Sequence, residues 1–343
     1  MDGLVRASLD GSSSTSFCVP FVVFREKSKS IYPFSPFATI VVALVLERWI
    51  KPSLMQSCDV NPPDENPDCF WGTVPVDQWT YCEKLLEMGT KHGAAASGGS
   101  KLMDRLHEHW ETWVTRDNII SLANVGITHV RLPIGHWILG DIEPPEPYIN
   151  GEWPYVLRLV GWCREFGLNV WLDLHTAPGS QNGFDNSGHL GNLTWDMSYH
   201  NVWRTVKIID DIAKQLRIDG AEDIVTGFGV MNEPGPYIKA QLLKNFYNDA
   251  YIAIRNSLPD AFVYVGDGFN SANFNNFWTG RSDMDHPKHD TLYTVYNGYW
   301  AGTEYEGWVN DVRNVLLDTH IYQCFTLSMR MFSPREHIEE VRL

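Results

Sequence analysis

"IVTGFGVMNEPGPYIKAQLLKNFYNDAYIAIRNSL", from Ile224 to Leu258, joins a short apolar run to a long segment of helical period. The run "IVTGFGVMN" predicts a buried strand that ends at Asn232 and Glu233, where Pro234 cannot continue the ladder. The segment after it carries apolar residues at the spacing of an amphipathic helix. A strand followed by a helix is the repeating unit of α/β proteins.

The same alternation recurs along the chain and predicts successive βα units. The other strand candidates are "ATIVVALVL", "ITHVRLP", "LNVWLDL", "FVYVGD" and "VLLDTHIY". The other helix candidates are "DRLHEHWETW", "PYVLRLVGWCREFG" and "NVWRTVKIIDDIAKQLRI". This order predicts an α/β protein of the (β/α)8, or TIM, barrel type.

Length and charge limit the classes of function. The 343 residues suffice for one large core, and a barrel of this length is normally a single domain. A formal net charge of -15 repels a phosphate backbone, so nucleic acid is not an expected partner. The chain has 14 Trp, 14 Tyr and 16 Phe, and aromatic rings that are not needed in the core suit the apolar faces of sugars.

Polar residues stand where four predicted strands end. They are Arg131, then Asp173 and His175, then Asn232 and Glu233, and finally His320 and Tyr322. Because strand ends meet on the active face of a barrel, these side chains are candidates for one site.

Several features concern metals, membranes and secretion. Six cysteines stand without metal-ligand spacing, so no metal or other cofactor is expected, and one or two disulfides remain open. The apolar run from Phe37 to Leu46 is half the length of a membrane span, and we expect a buried parallel strand there. The polar start "MDGLVRASLDGSSSTSF" is unlike a signal peptide, and localisation stays open.

Four motifs together resemble a known family. "VRLPIGHW", "VWLDLHTAPGSQNGFDNSG", "MNEP" and "DTHIYQCF" occur in the order found in the fungal exo-β-1,3-glucanases of glycoside hydrolase family 5. The resemblance begins near "LVLERWIKPSLM" (Leu44 to Met55) and covers most of the chain. It implies a TIM barrel, a retaining mechanism with two carboxyl groups, and β-1,3-glucan or its oligosaccharides as the partner. Family members are secreted or associated with the cell wall.

The resemblance also implies roles for individual residues. Glu233 would be the acid/base, Asn232 would hold the 2-hydroxyl of the sugar, and Arg131 would tune the nucleophile. The cleavage subsite and its rim would be formed by His175, His320, Tyr322, Glu47, Phe184, Asp185, Asn186 and Phe325.

The second carboxylate has no counterpart in the printed sequence. The family carries its nucleophile in a "GEW" type motif on the seventh strand, after the strand that holds His320 and Tyr322. The "GEW" at Gly151 to Trp153 precedes the third strand, and we expect Glu152 to be a charged residue in the first turn of a helix. We therefore expect an incomplete barrel without strands seven and eight.

The expected organisation is a divergent, weakly structured segment at 1–36 and an incomplete barrel at 37–343. An open seam would expose strand edges, through which the protein could associate. Three readings follow: a glucan-binding protein without turnover, an active glucan 1,3-β-glucosidase, and a truncated product that folds poorly.

Overall fold

The computed structural model describes residues 22–25, 37–39, 44–48, 50–55, 74–91, 97–269 and 313–320. The chain forms two compact units, one of Met1–Val23 with His320–Leu343 and one of Phe24–Thr319. Most of the described residues belong to the second unit, which holds the hydrophobic core. The predicted segment 1–36 lies outside the described residues except for one short strand.

From His129 to Gly266 the described strands and α-helices alternate as the sequence pattern predicts. The strands are β1 (Val22–Arg25), β2 (Phe37–Thr39), β3 (His129–Ile134), β4 (Asn169–Leu174), β5 (Val225–Gly229), β6 (Phe262–Gly266) and β7 (Val315–His320). The α-helices are α1 (Gln78–Lys91), α2 (Ser97–Thr112), α3 (Arg116–Asn124), α4 (Trp153–Phe166), α5 (Tyr199–Ile218) and α6 (Ala240–Ser257).

Strands β2 to β7 pair in chain order, and every pairing is parallel. Helices α4, α5 and α6 each connect one strand to the next. Parallel strands wound in sequence with helical crossovers are the construction of a TIM barrel, so the predicted fold type is confirmed. The six predicted barrel strands correspond to β2 to β7, so β7 is the sixth of them. The absence of a seventh and an eighth barrel strand stays a prediction, because residues 270–312 and 321–343 lie outside the described ranges.

Two predictions about the first half of the chain need correction. Of the described residues in the expected strand from Phe37 to Leu46, Phe37–Thr39 form a strand and Leu44 to Leu46 are buried outside it, while residues 40–43 lie outside the described ranges. The backbone N–H of Leu46 donates to the side chain of Gln78 at 3.0 Å, so a side chain replaces the sheet ladder there. Helices α1 and α3 were not predicted, and α2 begins seven residues earlier than expected.

Glycines on β5 make room for aromatic rings of the neighbouring strands. A Cβ at Gly227 would lie 2.5 Å from the ring of Trp171, and a Cβ at Gly229 would lie 2.1 Å from the ring of Tyr264. Trp171 and Tyr264 stack at 5.4 Å between centroids, and the Tyr264 hydroxyl donates to Leu172 O at 2.7 Å. The absent side chains on β5 therefore let the rings of β4 and β6 meet.

Two further observations bear on the sequence predictions. Cys82 and Cys163 are buried free thiols, and the other four cysteines lie outside the described residues. None of the helices in the described ranges is long and apolar enough to cross a membrane.

Candidate active site

Glu233 lies just beyond the end of β5 in an unusual backbone conformation. The strand ends at Gly229, three residues earlier than predicted, and Asn232 N donates to Leu174 O of the neighbouring β4 at 3.0 Å. The φ angle of Glu233 is 45°, and the residue is 8% exposed. A bulky residue in the left-handed region is strained, and such strain concentrates at functional sites.

The loop after β4 holds Glu233 from one side. The side-chain amide of Asn186 donates to Oε2 of Glu233 at 2.8 Å, and that of Asn182 donates to its backbone carbonyl at 3.0 Å. Gly235 N also donates to Gln181 O at 2.9 Å. The loop and the acidic residue are therefore fixed to each other by both main-chain and side-chain bonds.

Gln181 closes the base of the same loop. Its side-chain amide donates to the carbonyls of His175 and Asn232, both at 2.9 Å, and its Oε1 accepts from Ala177 N at 3.0 Å. The side chain is fully buried. Gln181 thus joins the end of β4 to the segment that carries Glu233.

A buried chain of charged and polar side chains crosses the strand ends. Arg131 lies 2.8 Å from Asp173 Oδ2 and donates to Asn232 Oδ1 at 2.7 Å. Asp173 Oδ2 also lies 2.6 Å from His175 Nδ1, and His175 Nε2 lies 4.0 Å from Glu47 Oε1. Five residues, two in strands and three in segments outside the strands, therefore form one contiguous group.

Arg131 remains charged in this setting. Burial opposes the charged form, but the nearby acids, Asp173 foremost, outweigh it and hold the pKa of the guanidinium above its ordinary value. The sequence pattern placed Arg131 after its strand, whereas the structure places it third in the six-residue β3. Its long side chain nevertheless reaches Asn232 beyond the end of β5.

The structure brings together most of the predicted site residues. Glu47, Arg131, His175, Asn232 and Glu233 are buried, and Asp185 and Asn186 are half-buried. Phe184 is 43% exposed, as a residue that contacts a ligand from the rim would be. His320 ends β7, while Tyr322 and Phe325 lie outside the described residues.

Asp185 stands beside these groups with a perturbed carboxyl. Burial raises its pKa, backbone hydrogen bonds oppose that rise, and the charges of Asp77 and Glu233 add to it. Such perturbation is common where carboxylates gather in a functional cleft.

Sequence reasoning missed the support provided by Gln181, Asn182 and Tyr264. The pair "QN" stands between Gly179 and Gly183, and two glycines this close together indicate a tight loop. Both glycines have positive φ in the structure. Tyr264 sits in an apolar strand and has the pattern of an ordinary core residue. Among the described residues, no group of three His, Cys, Asp or Glu side chains could hold a metal ion.

Glu152 of the "GEW" motif differs from its prediction. It is the residue before α4, but it is fully buried, and its Oε1 accepts from Trp137 Nε1 at 2.9 Å. Burial raises its pKa to about 8, and the hydrogen bond from Trp137 opposes that rise more weakly. The prediction that Glu152 is a charged residue in the first turn of a helix is therefore wrong. Its carboxyl is predominantly protonated at neutral pH.

The sequence also matches a known family. Residues 95–330 match the family described as Cellulase (glycosyl hydrolase family 5). A glucan 1,3-beta-glucosidase of Blumeria graminis is 33% identical over 301 residues, which are 86% of this chain and 57% of that protein. A glucan 1,3-beta-glucosidase of Yarrowia lipolytica is 33% identical over 300 residues, which are 87% of this chain and 59% of that protein. The chain thus spans less than three fifths of the length of these relatives.

A solved structure shares the fold. The crystal structure of rutinosidase from Aspergillus niger superposes with a TM-score of 0.54 at 19% identity, over 68% of this chain and 63% of that one. At this identity the likeness shows the fold alone.

Proposed function

Because the chain belongs to glycosyl hydrolase family 5, we propose that its strand-end site recognises β-1,3-glucan around the acid/base carboxyl of a retaining glycosidase, Glu233. The observation that carries the proposal is the bond from Asn186 to Glu233 Oε2, at 2.8 Å in a nearly buried setting. An amide that fixes one carboxyl oxygen orients the group, and proton transfer to a glycosidic oxygen requires such orientation.

The choice of β-1,3-glucan rests on the relatives and is supported by the rim. Proteins named glucan 1,3-beta-glucosidase match most of the chain, including the loop from Thr176 to Asn192. That loop presents the exposed ring of Phe184 beside the half-buried polar groups of Asp185 and Asn186. A ring beside amide and carboxyl groups suits a sugar, which has apolar faces and hydroxyl edges.

Each buried residue of the group then has a role in binding. Asn232, whose Nδ2 has no hydrogen-bond partner among the described residues, would donate to the 2-hydroxyl of the sugar. His175, held by Asp173, and Glu47 would accept or donate to other hydroxyls. Arg131 would hold the carboxylates of the strand ends in place.

Hydrolysis by the retaining route needs a second carboxylate about 5 Å from the acid/base. Among the described carboxylates of this group, Asp173 is engaged by Arg131 and His175, and Glu47 lies on the far side of His175 from Asp173. We propose that the 343-residue polypeptide binds β-1,3-glucan without turnover. The second candidate is an active glucan 1,3-β-glucosidase, which the ordered Glu233 and Asn186 pair favours.

One experiment separates the two candidates. The purified 343-residue polypeptide is mixed with laminaritriose, and released glucose and heat of binding are measured on the same samples. Heat without glucose supports the binding protein, whereas glucose release that Glu233→Gln abolishes supports the enzyme. Folded protein, judged by circular dichroism, that gives neither heat nor glucose would overturn both.

A further inference from the structure

A buried carboxyl group outside the proposed site is joined to it by packed side chains. Glu152 is fully buried at the start of α4, and its Oε1 accepts the indole N–H of Trp137 at 2.9 Å. Its Oε2 is buried without a hydrogen-bond partner among the described residues. The proposed binding site does not include this carboxyl, yet burying a carboxyl group costs free energy that burying an apolar side chain would not.

Trp137 connects Glu152 to the ligand-binding loop. Its ring stacks on Tyr148 at 3.9 Å between centroids, with 16° between the planes. A Cβ at Gly188, whose φ is +84°, would lie 3.2 Å from the Trp137 ring and 3.3 Å from the Tyr148 hydroxyl. The loop backbone therefore rests directly on this stacked pair.

Gly188 in turn closes the turn that presents Asn186. Its N–H donates to Asp185 O at 3.0 Å and ends the short 3-10 helix Asp185–Ser187. Its carbonyl accepts from Trp79 N at 2.9 Å. The position of Asn186, and hence its bond to Glu233, depends on where this turn rests.

We infer that Glu152 is a positioning residue for the glucan-binding loop. By holding the Trp137 indole, it fixes the position of Gly188 and Asn186 relative to Glu233. The inference rests on the proposed function only in taking the loop as the glucan contact. Glu152 itself does not touch the substrate.

The surroundings keep the carboxyl neutral. Titratable groups near it include Cys82 on α1, which interacts electrostatically with Glu152, His107 on α2, which lies beside Gly151, and Tyr148, which stacks on Trp137. Burial raises the pKa of the Cys82 thiol and of the Tyr148 phenol well above their ordinary values, so both stay neutral near pH 8. Among the residues that the structure describes, no ion pair joins Glu152 to a cation, so its ionisation would place an unpaired charge beside the stacked rings.

The direct test is a spectroscopic titration. The protein is labelled with 5-fluorotryptophan, and the Trp137 signal is identified as the one that Trp137→Phe removes. In the wild type we expect the signals of Trp137 and Trp79 to shift together with a midpoint near pH 8, which Glu152→Gln abolishes. A Trp137 signal that keeps the same position and the same titration in Glu152→Ala as in the wild type overturns the inference.

The functional test is laminaritriose affinity by calorimetry at pH 6.5. Glu152→Ala removes the acceptor, and we expect affinity to fall by about tenfold, while Glu152→Gln, which keeps an acceptor oxygen, restores it. Val160→Ala, a cavity in the core side of the same helix, controls for a general loss of stability and should bind normally. Equal weakening by Val160→Ala overturns the inference. If the wild type binds no laminaritriose, the proposed function fails, and the titration alone decides the role of Glu152.

Discussion

Asn186 and Glu233, 47 residues apart in the chain, share a hydrogen bond of 2.8 Å between the amide Nδ2 and carboxyl Oε2. One belongs to the loop after β4 and the other to the segment after β5, so the bond joins two neighbouring βα units at the face where their strands end. The group that would recognise the sugar and the group that would protonate its linkage are thus in direct contact.

Replacing Asn186 with alanine should weaken glucan binding. A hydrogen bond of this kind contributes about 1 kcal/mol, so we expect laminaritriose affinity to fall about fivefold. Calorimetry measures the effect, and Met197→Ala, at an exposed position in the same connection, is the control. Unchanged affinity in Asn186→Ala would show that the loop does not act through Glu233.

The ring of Phe184 should matter for binding but not for stability. The side chain is 43% exposed, so Phe184→Ala is expected to leave the unfolding transition unchanged and to weaken laminaritriose binding by about 1–2 kcal/mol. Phe184→Trp should retain binding because it keeps a flat ring. Equal affinity in the alanine and tryptophan variants would contradict a stacking role.

The buried pair of Arg131 and Asp173 predicts strong coupling between the two positions. Removing either partner leaves a buried charge unpaired, and Arg131→Met should lower the free energy of unfolding by about 3–5 kcal/mol. Adding Asp173→Asn to Arg131→Met should recover part of that loss. Denaturant unfolding of the wild type, the two single variants and the double variant measures the interaction free energy between the two positions. Additive losses would mean that each residue is held by its other contacts.

Glu152 should make the protein less stable as the pH rises. Its pKa is about 8 in the folded state against an ordinary value of 4.5, so the folded state binds the extra proton. The free energy of unfolding should therefore fall between pH 4.5 and about 8, by up to about 5 kcal/mol. Denaturant unfolding over this range compares the wild type with Glu152→Gln, in which this fall in the free energy of unfolding should be absent. Parallel curves for the two proteins would refute the burial of a neutral acid.

Glu146 should have the opposite effect in a lower range of pH. Burial favours its neutral form, but the hydrogen bonds of His136 and Arg204 prevail and lower its pKa to about 2. Stability from this group is complete above its ordinary value of 4.5 and is lost as the pH falls toward 2, by up to about 3 kcal/mol. Glu146→Gln should flatten that part of the stability curve. The same acid sensitivity in Glu146→Gln would assign the loss to other carboxylates.

The periodic features of the chain could be predicted from the sequence, and its side-chain support could not. Strands β3 to β6 and helices α4 to α6 follow from apolar spacing, which is a local property. The end of β5 was placed at Asn232 because "GVMN" continues the apolar run, although its last residues bond across to β4 and β6 instead.

The candidate site shows the same division. Strand-end polar residues such as Glu233 and His175 were recognisable because barrel topology brings strand ends together. Glu152 was misjudged, because its position suggested a helix start, while its burial and its bond to Trp137 involve residues outside that helix. Contacts between residues distant in the chain leave no periodic signal at either partner.

The meeting of Gly229 with the ring of Tyr264 has a consequence for divergence within the family. The two positions occupy one shared volume, so an added methyl group on β5 can be accommodated only if the ring on β6 is reduced. Homologous sequences should therefore exchange size between these two positions, with a side chain at the first accompanied by a small residue at the second. Paired substitutions at these two positions would therefore change the side chains between β5 and β6 while the backbone arrangement of the strands stays the same.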